Sequence, residues 1–286
     1  MKTIVITGAT SGIGFAAAKA LAASGARVIG VGRTLDTCKK AQTELLATVP
    51  NADITFVQGD LSSQTDVNAV AEQIQTHLVP DGSLDALINN AGGVRSGYTT
   101  TADGYELQFA LNHLAGFLLT YRLWDCLKKA KGRVIFTGSN SHKKTRMHWN
   151  DVMLSKHYGC LKAYKQSKLC NMLFAKEINR RFEDSGVKAF VVDPGLVNTN
   201  IGNKQTAGLV SAFWSLRKKH GDSPEYAAQT YAYLCSQMPA PYWLYYHACK
   251  PANYDKHADN EQDAKRLFEL SEQLCGIRFD GGDIIK

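Results

Sequence analysis

No run in this 286-residue sequence approaches the roughly twenty apolar residues that a membrane-spanning helix requires, so no membrane span is expected. Proline is scarce, its 7 residues sit at element ends, and no internal repeat, low-complexity tract or linker divides the chain. The 8 histidines form no HExxH pattern and do not pair with cysteine at ligand spacing, so no metal site is expected. The 7 cysteines (Cys38, Cys126, Cys160, Cys170, Cys235, Cys249 and Cys275) are odd in number and contain no CxxC pair. That argues against a disulfide framework and for free thiols in a reducing compartment. A dense basic arm is missing too. The nearest approaches, Lys143-Lys144 with Arg146 and Arg217-Lys218-Lys219, read as solvated surface, and no nucleic-acid partner is expected. The opening Lys2-Thr3-Ile4-Val5-Ile6 is strand-like and too short for a signal sequence, so the expected location is the cytoplasm.

What the sequence does have is apolar content of 44%, enough for a large core, with an ordinary charged fraction of 21% and a net charge of +7. A positive excess of that size can attract a polyanion, a phosphorylated cofactor included. Strand-like and helix-like segments alternate. Strands are expected at Lys2–Thr7, Arg27–Val31, Asp53–Gln58, Leu84–Asn89, Arg133–Thr137, Val187–Val192 and Trp243–His247. Helices are expected at Gly12–Gly25, Leu35–Val49, Ser63–Leu78, Gly104–Ala130, Cys160–Phe182, Pro224–Gln237 and Asn260–Leu274. Strands that are apolar on both faces and separated by helices predict a parallel sheet covered on both sides. The expected fold is one α/β domain over residues 1–286, a doubly wound (Rossmann) sheet of about seven strands.

Thr7-Gly8-Ala9-Thr10-Ser11-Gly12-Ile13-Gly14 joins the first strand to the first helix. Its GxxxGxG spacing differs from the GxGxxG fingerprint and from a Walker loop, yet a glycine turn at the first βα junction presents helix N–H groups to a pyrophosphate. Near the end of the second strand, NAD-binding folds place an acid for the ribose 2′-hydroxyl. Here the stretch is Gly30-Val31-Gly32-Arg33-Thr34, and Arg33 offers a donor fork suited to a 2′-phosphate. That favours NADP(H). A strand-end surface arginine is the alternative.

Tyr164 and Lys168 stand four apart in a predicted helix and share one face. A phenol of pKa near ~10 is a poor acid or base at neutral pH, and a neighbouring ammonium moves it toward the working range. Alone the pair is weak evidence. In order along the chain it is accompanied by Asp60, Asn89-Asn90-Ala91-Gly92, Asn112, Thr137-Gly138-Ser139 and Pro194-Gly195 followed by Thr199. On these motifs, over roughly the first 200 residues, the chain resembles the short-chain dehydrogenase/reductase family. Leu111-Asn112-His113-Leu114 and Ala163-Tyr164-x-x-Ser167-Lys168-Leu169, with Asp255 to Leu274 near the end, look most like its retinol-dehydrogenase-like branch. The resemblance implies Tyr164 as general acid or base, Lys168 as its modulator and ribose anchor, Ser139 as hydrogen-bond partner of the substrate oxygen, and Asn112 as holder of a relay water. It implies NADP contacts from Gly8, Ser11, Gly12, Ile13, Gly14, Arg33, Asp60, Leu61, Asn89, Ala91, Gly92, Tyr164, Lys168, Pro194, Gly195, Val197 and Thr199. A homodimer built on the two long helices is also implied.

Two features depart from the pattern. The interval from Ser139 to Tyr164 is long, so the placement of Ser139 rests on the strand end. A membrane-anchoring N-terminal helix like that of many members of that branch is not expected, although peripheral membrane contact stays open. Residues 200–222, with Leu209, Val210, Phe213, Trp214 and Leu216, suit an apolar substrate lid, or equally a segment packed on the core or a membrane surface. The expected substrate is a lipophilic ketone, aldehyde or alcohol, retinoid-, steroid- or fatty-carbonyl-like. The run Tyr242–Tyr246 reads as an edge strand or as substrate lining, and His113 and His142 as packing or surface residues. A catalytically silent NADP-sensing protein of the same fold is the alternative function.

Overall fold

Apolar residues on both faces of each strand call for cover on both sides, and the computed structural model supplies it. It describes residues 1–78, 80–197 and 221–279, and the backbone of Gly282–Asp283. The first half runs β1 (Thr3–Thr7), α1 (Gly12–Ala23), β2 (Arg27–Gly32), α2 (Leu35–Thr48), β3 (Ile54–Gln58), α3 (Gln64–His77) and β4 (Ala86–Asn89). The chain continues through α4 (Leu107–Phe109), α5 (Ala115–Arg122), α6 (Trp124–Ala130), β5 (Arg133–Thr137), α7 (Cys160–Arg181) and β6 (Lys188–Asp193). After the next described residues come α8 (Pro224–Ser236), β7 (Tyr245–His247), β8 (Lys250–Pro251) and α9 (Glu261–Cys275). The sheet order is β3-β2-β1-β4-β5-β6-β7-β8. Pairing is parallel as far as β7, and β8 turns back antiparallel on it.

Strand side chains alternate between two apolar layers. Ile4, Ile6, Val28, Ile88 and Ile135 belong to a cluster with α1 and α8. Val5, Ile29, Leu87, Val134 and Phe136 belong to a second with α3, α5, α7 and α9. This period-2 division is what a sheet with helices on both faces requires. The order reverses between β1 and β4, which places a crevice at their carboxyl ends, where ligands bind in open α/β sheets. Among the described residues no helix is long and apolar enough to cross a membrane.

Two expectations are corrected in detail. The seventh strand begins at Tyr245 rather than Trp243, and the two-residue β8, too short to show a pattern, makes an eighth. The helix expected over Gly104–Ala130 is broken. Buried Glu106 caps α4 by accepting from the Gln108 and Phe109 N–H groups, at 3.0 and 2.7 Å. A π-helical turn at Ala110–Leu114 then precedes α5. Such bulges mark functional positions in helices, and this one carries Asn112.

The same turn buries His113 completely. Its Nε2 lies 2.9 Å from Ser271 Oγ, whose own hydrogen goes to the Leu267 carbonyl at 2.8 Å, so Nε2 carries a proton and donates. Burial pushes this imidazole down to about 4 from its ordinary 6.5, against a smaller opposing effect of Asn171. The neutral ring is therefore the folded form. Its contribution is present above pH 6.5 and lost as the pH falls toward about 4, because the unfolded chain binds the extra proton first. Thermal melts between pH 7 and pH 4.5 should show stability falling with acid, by up to about 3 kcal/mol from this residue. His113→Gln should flatten that slope, whatever it does to the melting temperature at pH 7.

Candidate active site

The glycine loop leaves β1 at the crevice. Gly8 has φ +66°, and a Cβ on Gly14 would sit 2.3 Å from the Gly8 carbonyl oxygen, so a side chain at 14 would push the helix off the loop. Side-chain oxygens of Thr34, Ser63, Ser223 and Asn260 cap α2, α3, α8 and α9. The N-cap Ser11 of α1 makes no side-chain cap, and its first turn holds no acid. The amide groups and positive dipole end of α1 are thus left facing the crevice, a set of donors suited to a phosphate. Thr7 ties the two strand ends together. Its Oγ1 accepts from the Asn90 and Ala91 N–H groups, both at 2.9 Å, while Asn90 Nδ2 donates to the Thr7 carbonyl at 2.9 Å.

A cleft of about 760 Å³ opens here, and the expected residues Gly8, Ser11, Gly12, Ile13, Arg33, Asp60, Leu61, Ala91 and Gly92 line it. Asp60 Oδ1 accepts from the N–H and hydroxyl of Ser62, which fixes the carboxylate. Thr10, Thr34, Thr37, Ser62, Leu107, Leu111 and, with more consequence, Arg95 also line the cleft and were not among the expected cofactor contacts. Burial first, and the charge of Arg33 second, push the Arg95 guanidinium down from its ordinary value, with Asp60 acting the other way. Two cations thus border one cleft. The signal that could have found Arg95 is its position just past Asn89-Asn90-Ala91-Gly92.

Asn89 lies just behind the cleft wall. Its side chain is buried and donates to Thr120 Oγ1 at 3.3 Å, and the neighbouring Asn90 lines the cleft instead. Gly14 packs behind the loop, and Pro194, Gly195 and Val197 follow β6 without bordering the cleft. Gly195 N–H is bonded to Asp193 Oδ1 at 3.0 Å, and Val197 bridges to Asp222. Thr199 and the lid segment as far as His220 lie outside the described residues.

Beyond Gly92 the cleft wall meets α7. A Cβ on Gly92 would lie 2.8 Å from Asn112 Oδ1 and 3.9 Å from Lys168 Nζ, so the wall, the π turn and the lysine converge there. Lys168 is buried, donates to the Thr137 carbonyl at 2.8 Å, and stands 5.5 Å from the centre of the Tyr164 ring. Burial pushes its ammonium down to about 8. Tyr164 is buried on the same face. The Lys168–Thr137 bond sets that face against the end of β5, two residues before Ser139. Ser139 is in extended conformation, and its Oγ accepts the Ser141 N–H at 3.1 Å. That bond leaves the hydroxyl hydrogen available to donate. The Asn112 side chain is committed: Oδ1 accepts from Gly93 N–H at 2.8 Å, and Nδ2 reaches the Gly93 carbonyl and Ser167 Oγ, each at 3.0 Å. It braces the cleft wall against α7, so holding a water would fall to its main chain and not to this side chain. No cluster of metal-ligating side chains occurs among the described residues.

The model of the short chain dehydrogenase family matches residues 2–209. Retinol dehydrogenase 12 of Mus musculus is 35% identical over 282 residues, which span 98% of this chain and 88% of the relative. Retinol dehydrogenase 13 of Homo sapiens is 34% identical, over 96% of this chain and 85% of its own length. Among solved structures, an uncharacterised protein from Mycobacterium paratuberculosis superposes with a TM-score of 0.72 at 27% identity, covering 98% of this chain and 95% of that one. The chain therefore belongs to the short-chain dehydrogenase/reductase family of oxidoreductases, in its retinol-dehydrogenase-like branch.

Proposed function

We propose that this protein is an NADP(H)-dependent oxidoreductase that interconverts a lipophilic carbonyl and its alcohol. The observation that carries the reading is the buried Lys168 ammonium, fixed on the Thr137 carbonyl beside the Tyr164 ring and at the strand end that carries Ser139. Names of relatives support the substrate class, since they are retinol dehydrogenases. For the cofactor, a short-chain dehydrogenase from Sphingobium yanoikuyae of the same fold was solved in complex with NADPH. In this chain, Arg33 stands in the cleft where NAD enzymes carry an acid. The uncapped α1 terminus would hold the pyrophosphate, and Arg33 the 2′-phosphate. All seven cysteines are free, which fits the cytosol as the proposed location.

When bound, the dinucleotide supplies the hydride for reduction or takes it up in oxidation. The protein's own groups handle the oxygen. The Ser139 hydroxyl, its oxygen already occupied by the Ser141 N–H, donates to the substrate oxygen and stabilises developing negative charge. Tyr164 delivers a proton to that oxygen in reduction and removes it in oxidation. Lys168, still mostly charged at neutral pH, favours the phenolate and makes that transfer reversible. Both side chains are buried, which limits the access of water to the pair.

Two measurements test the reading. With NADPH and a panel of retinal, a steroid ketone and a fatty aldehyde, Tyr164→Phe should lower kcat/KM by about 10² to 10⁴-fold while leaving NADPH affinity within threefold. Unchanged turnover in that variant would remove the proposed chemistry, and NADPH binding without turnover in the starting protein would favour the cofactor sensor. Arg33→Ala should weaken NADPH binding by about 10- to 100-fold and leave NADH binding nearly unchanged. Equal affinities for the two cofactors in the starting protein would refute the NADP preference.

A further inference from the structure

Past the end of β5 the chain must stop pairing and still hold the Ser139 hydroxyl in one place. The last ladder bond is from Gly138 N–H to the Val192 carbonyl, at 2.7 Å. A short 3₁₀ turn, Asn140–His142, follows Ser139. Within it the Ser139 carbonyl receives two bonds from one residue: the His142 backbone N–H at 3.1 Å and His142 Nδ1 at 2.7 Å. A carbonyl only accepts, so Nδ1 must carry a hydrogen. The other ring nitrogen, Nε2, faces the Asp255 backbone N–H at 3.3 Å. An amide N–H only donates, so Nε2 must be bare. Both nitrogens are therefore committed, and they define a neutral imidazole with the proton on Nδ1. The ring is wholly buried and lies edge-on to Tyr245, with centroids 5.1 Å apart.

The far end of this link is itself held. The Asp255 carboxylate accepts from Lys144 N–H at 2.9 Å, from His257 N–H at 3.0 Å and from His257 Nδ1 at 2.5 Å. Arg146 Nε donates to His257 Nε2 at 2.9 Å. Three successive bridges thus fasten the loop after β5 to a corner 113 residues further on.

We propose that His142 is a positioning residue, a clasp that holds the Ser139 main chain so that its hydroxyl faces the reacting oxygen. The inference rests on the proposed role of Ser139. It touches the backbone of Ser139 and not its Oγ, so it acts by orientation: a turn of that carbonyl swings the hydroxyl with it. It also makes the clasp sensitive to protonation. A proton on Nε2 would set N–H against the Asp255 N–H and break the link. Burial opposes that proton most strongly, and the charge of Lys143 adds to it. The Ser139 carbonyl and the carboxylates of Asp193 and Asp255 act in the other direction without reversing the downward shift.

The test compares the starting protein with His142→Phe and His142→Asn, following kcat, KM and NADPH affinity from pH 4.5 to 8 with the best carbonyl of the panel. Loss of the clasp in His142→Phe should lower kcat about tenfold or more at pH 7, with NADPH affinity within twofold. In His142→Asn the side-chain amide takes the place of Nδ1–H and should restore most of kcat. That variant should also lack an acid limb, below the ordinary imidazole range, that the starting protein shows. The proposal is overturned if His142→Phe keeps kcat within twofold, if kcat and NADPH affinity fall together, or if the acid limb persists in His142→Asn. Absence of all carbonyl turnover in the starting protein would instead sink the oxidoreductase reading. The clasp is then judged by ¹⁵N spectra of the imidazole at pH 7, where a ring protonated on Nε2 or on both nitrogens overturns it.

Discussion

A buried ammonium ion has to be given an acceptor, and the acceptor chosen for Lys168 organises the site. The Thr137 carbonyl lies at the end of a parallel strand, one residue past the last pairing of β5 with β4, so it has lone pairs to offer. Taking it binds α7 to the carboxyl edge of the sheet at one point. The helix face that carries Tyr164 is then fixed relative to β5 and to whatever follows it. Burial also holds the lysine near about 8, far enough down to respond to its surroundings and high enough to remain mostly charged in neutral solution. A lysine on the surface would supply neither the fixed geometry nor the responsive charge.

Around that bond, polar side chains make the connections that apolar packing cannot make directional. Asn112 spends its whole amide on Gly93 and Ser167, and so joins the cleft wall to α7. The π turn is what aims it there, since one extra residue in the turn shifts the helix face. Thr7 and Asn90 do the same between β1 and β4. His142 does it between β5 and the corner at Asp255. Each link is buried or half-buried, where an unmade hydrogen bond costs more than a made one contributes. The set is consequently stiff.

Legibility in the sequence followed the range of the interaction. The glycine loop and the Tyr164–Lys168 pair are local spacings, and periodicity was enough to put them on a turn and a helix. That the Asn90 side chain and not that of Asn89 lines the cleft was hidden for a reason internal to the strand: all four residues of β4 are buried, so no alternation shows which neighbour of the Asn89-Asn90 pair turns outward. The break in the helix after Glu106 was hidden because a single added residue barely disturbs a helical pattern. His142 read as an ordinary packing residue, and nothing nearby could say otherwise, since its second partner is Asp255. Arg95 stood in plain sight beside a recognised motif, but only the folded crevice brings it to the border that Arg33 occupies.

That pairing of Arg33 and Arg95 bears on why the cleft would prefer the more highly charged dinucleotide. Two guanidiniums on one half-enclosed space repel, and after burial, the larger cause, that repulsion adds to the depressed affinity of Arg95 for its proton. A carboxylate at the cleft, Asp60, offsets only part of it, and its Oδ1 is already engaged by Ser62. An anion entering between the cations gains attraction to both and relieves their mutual repulsion, so its binding is favoured by more than either contact alone suggests. A 2′-hydroxyl brings no charge and leaves that repulsion in place. The proposed preference for a phosphate would thus belong to the cleft's whole charge arrangement, with Arg33 its most legible member and not its sole cause.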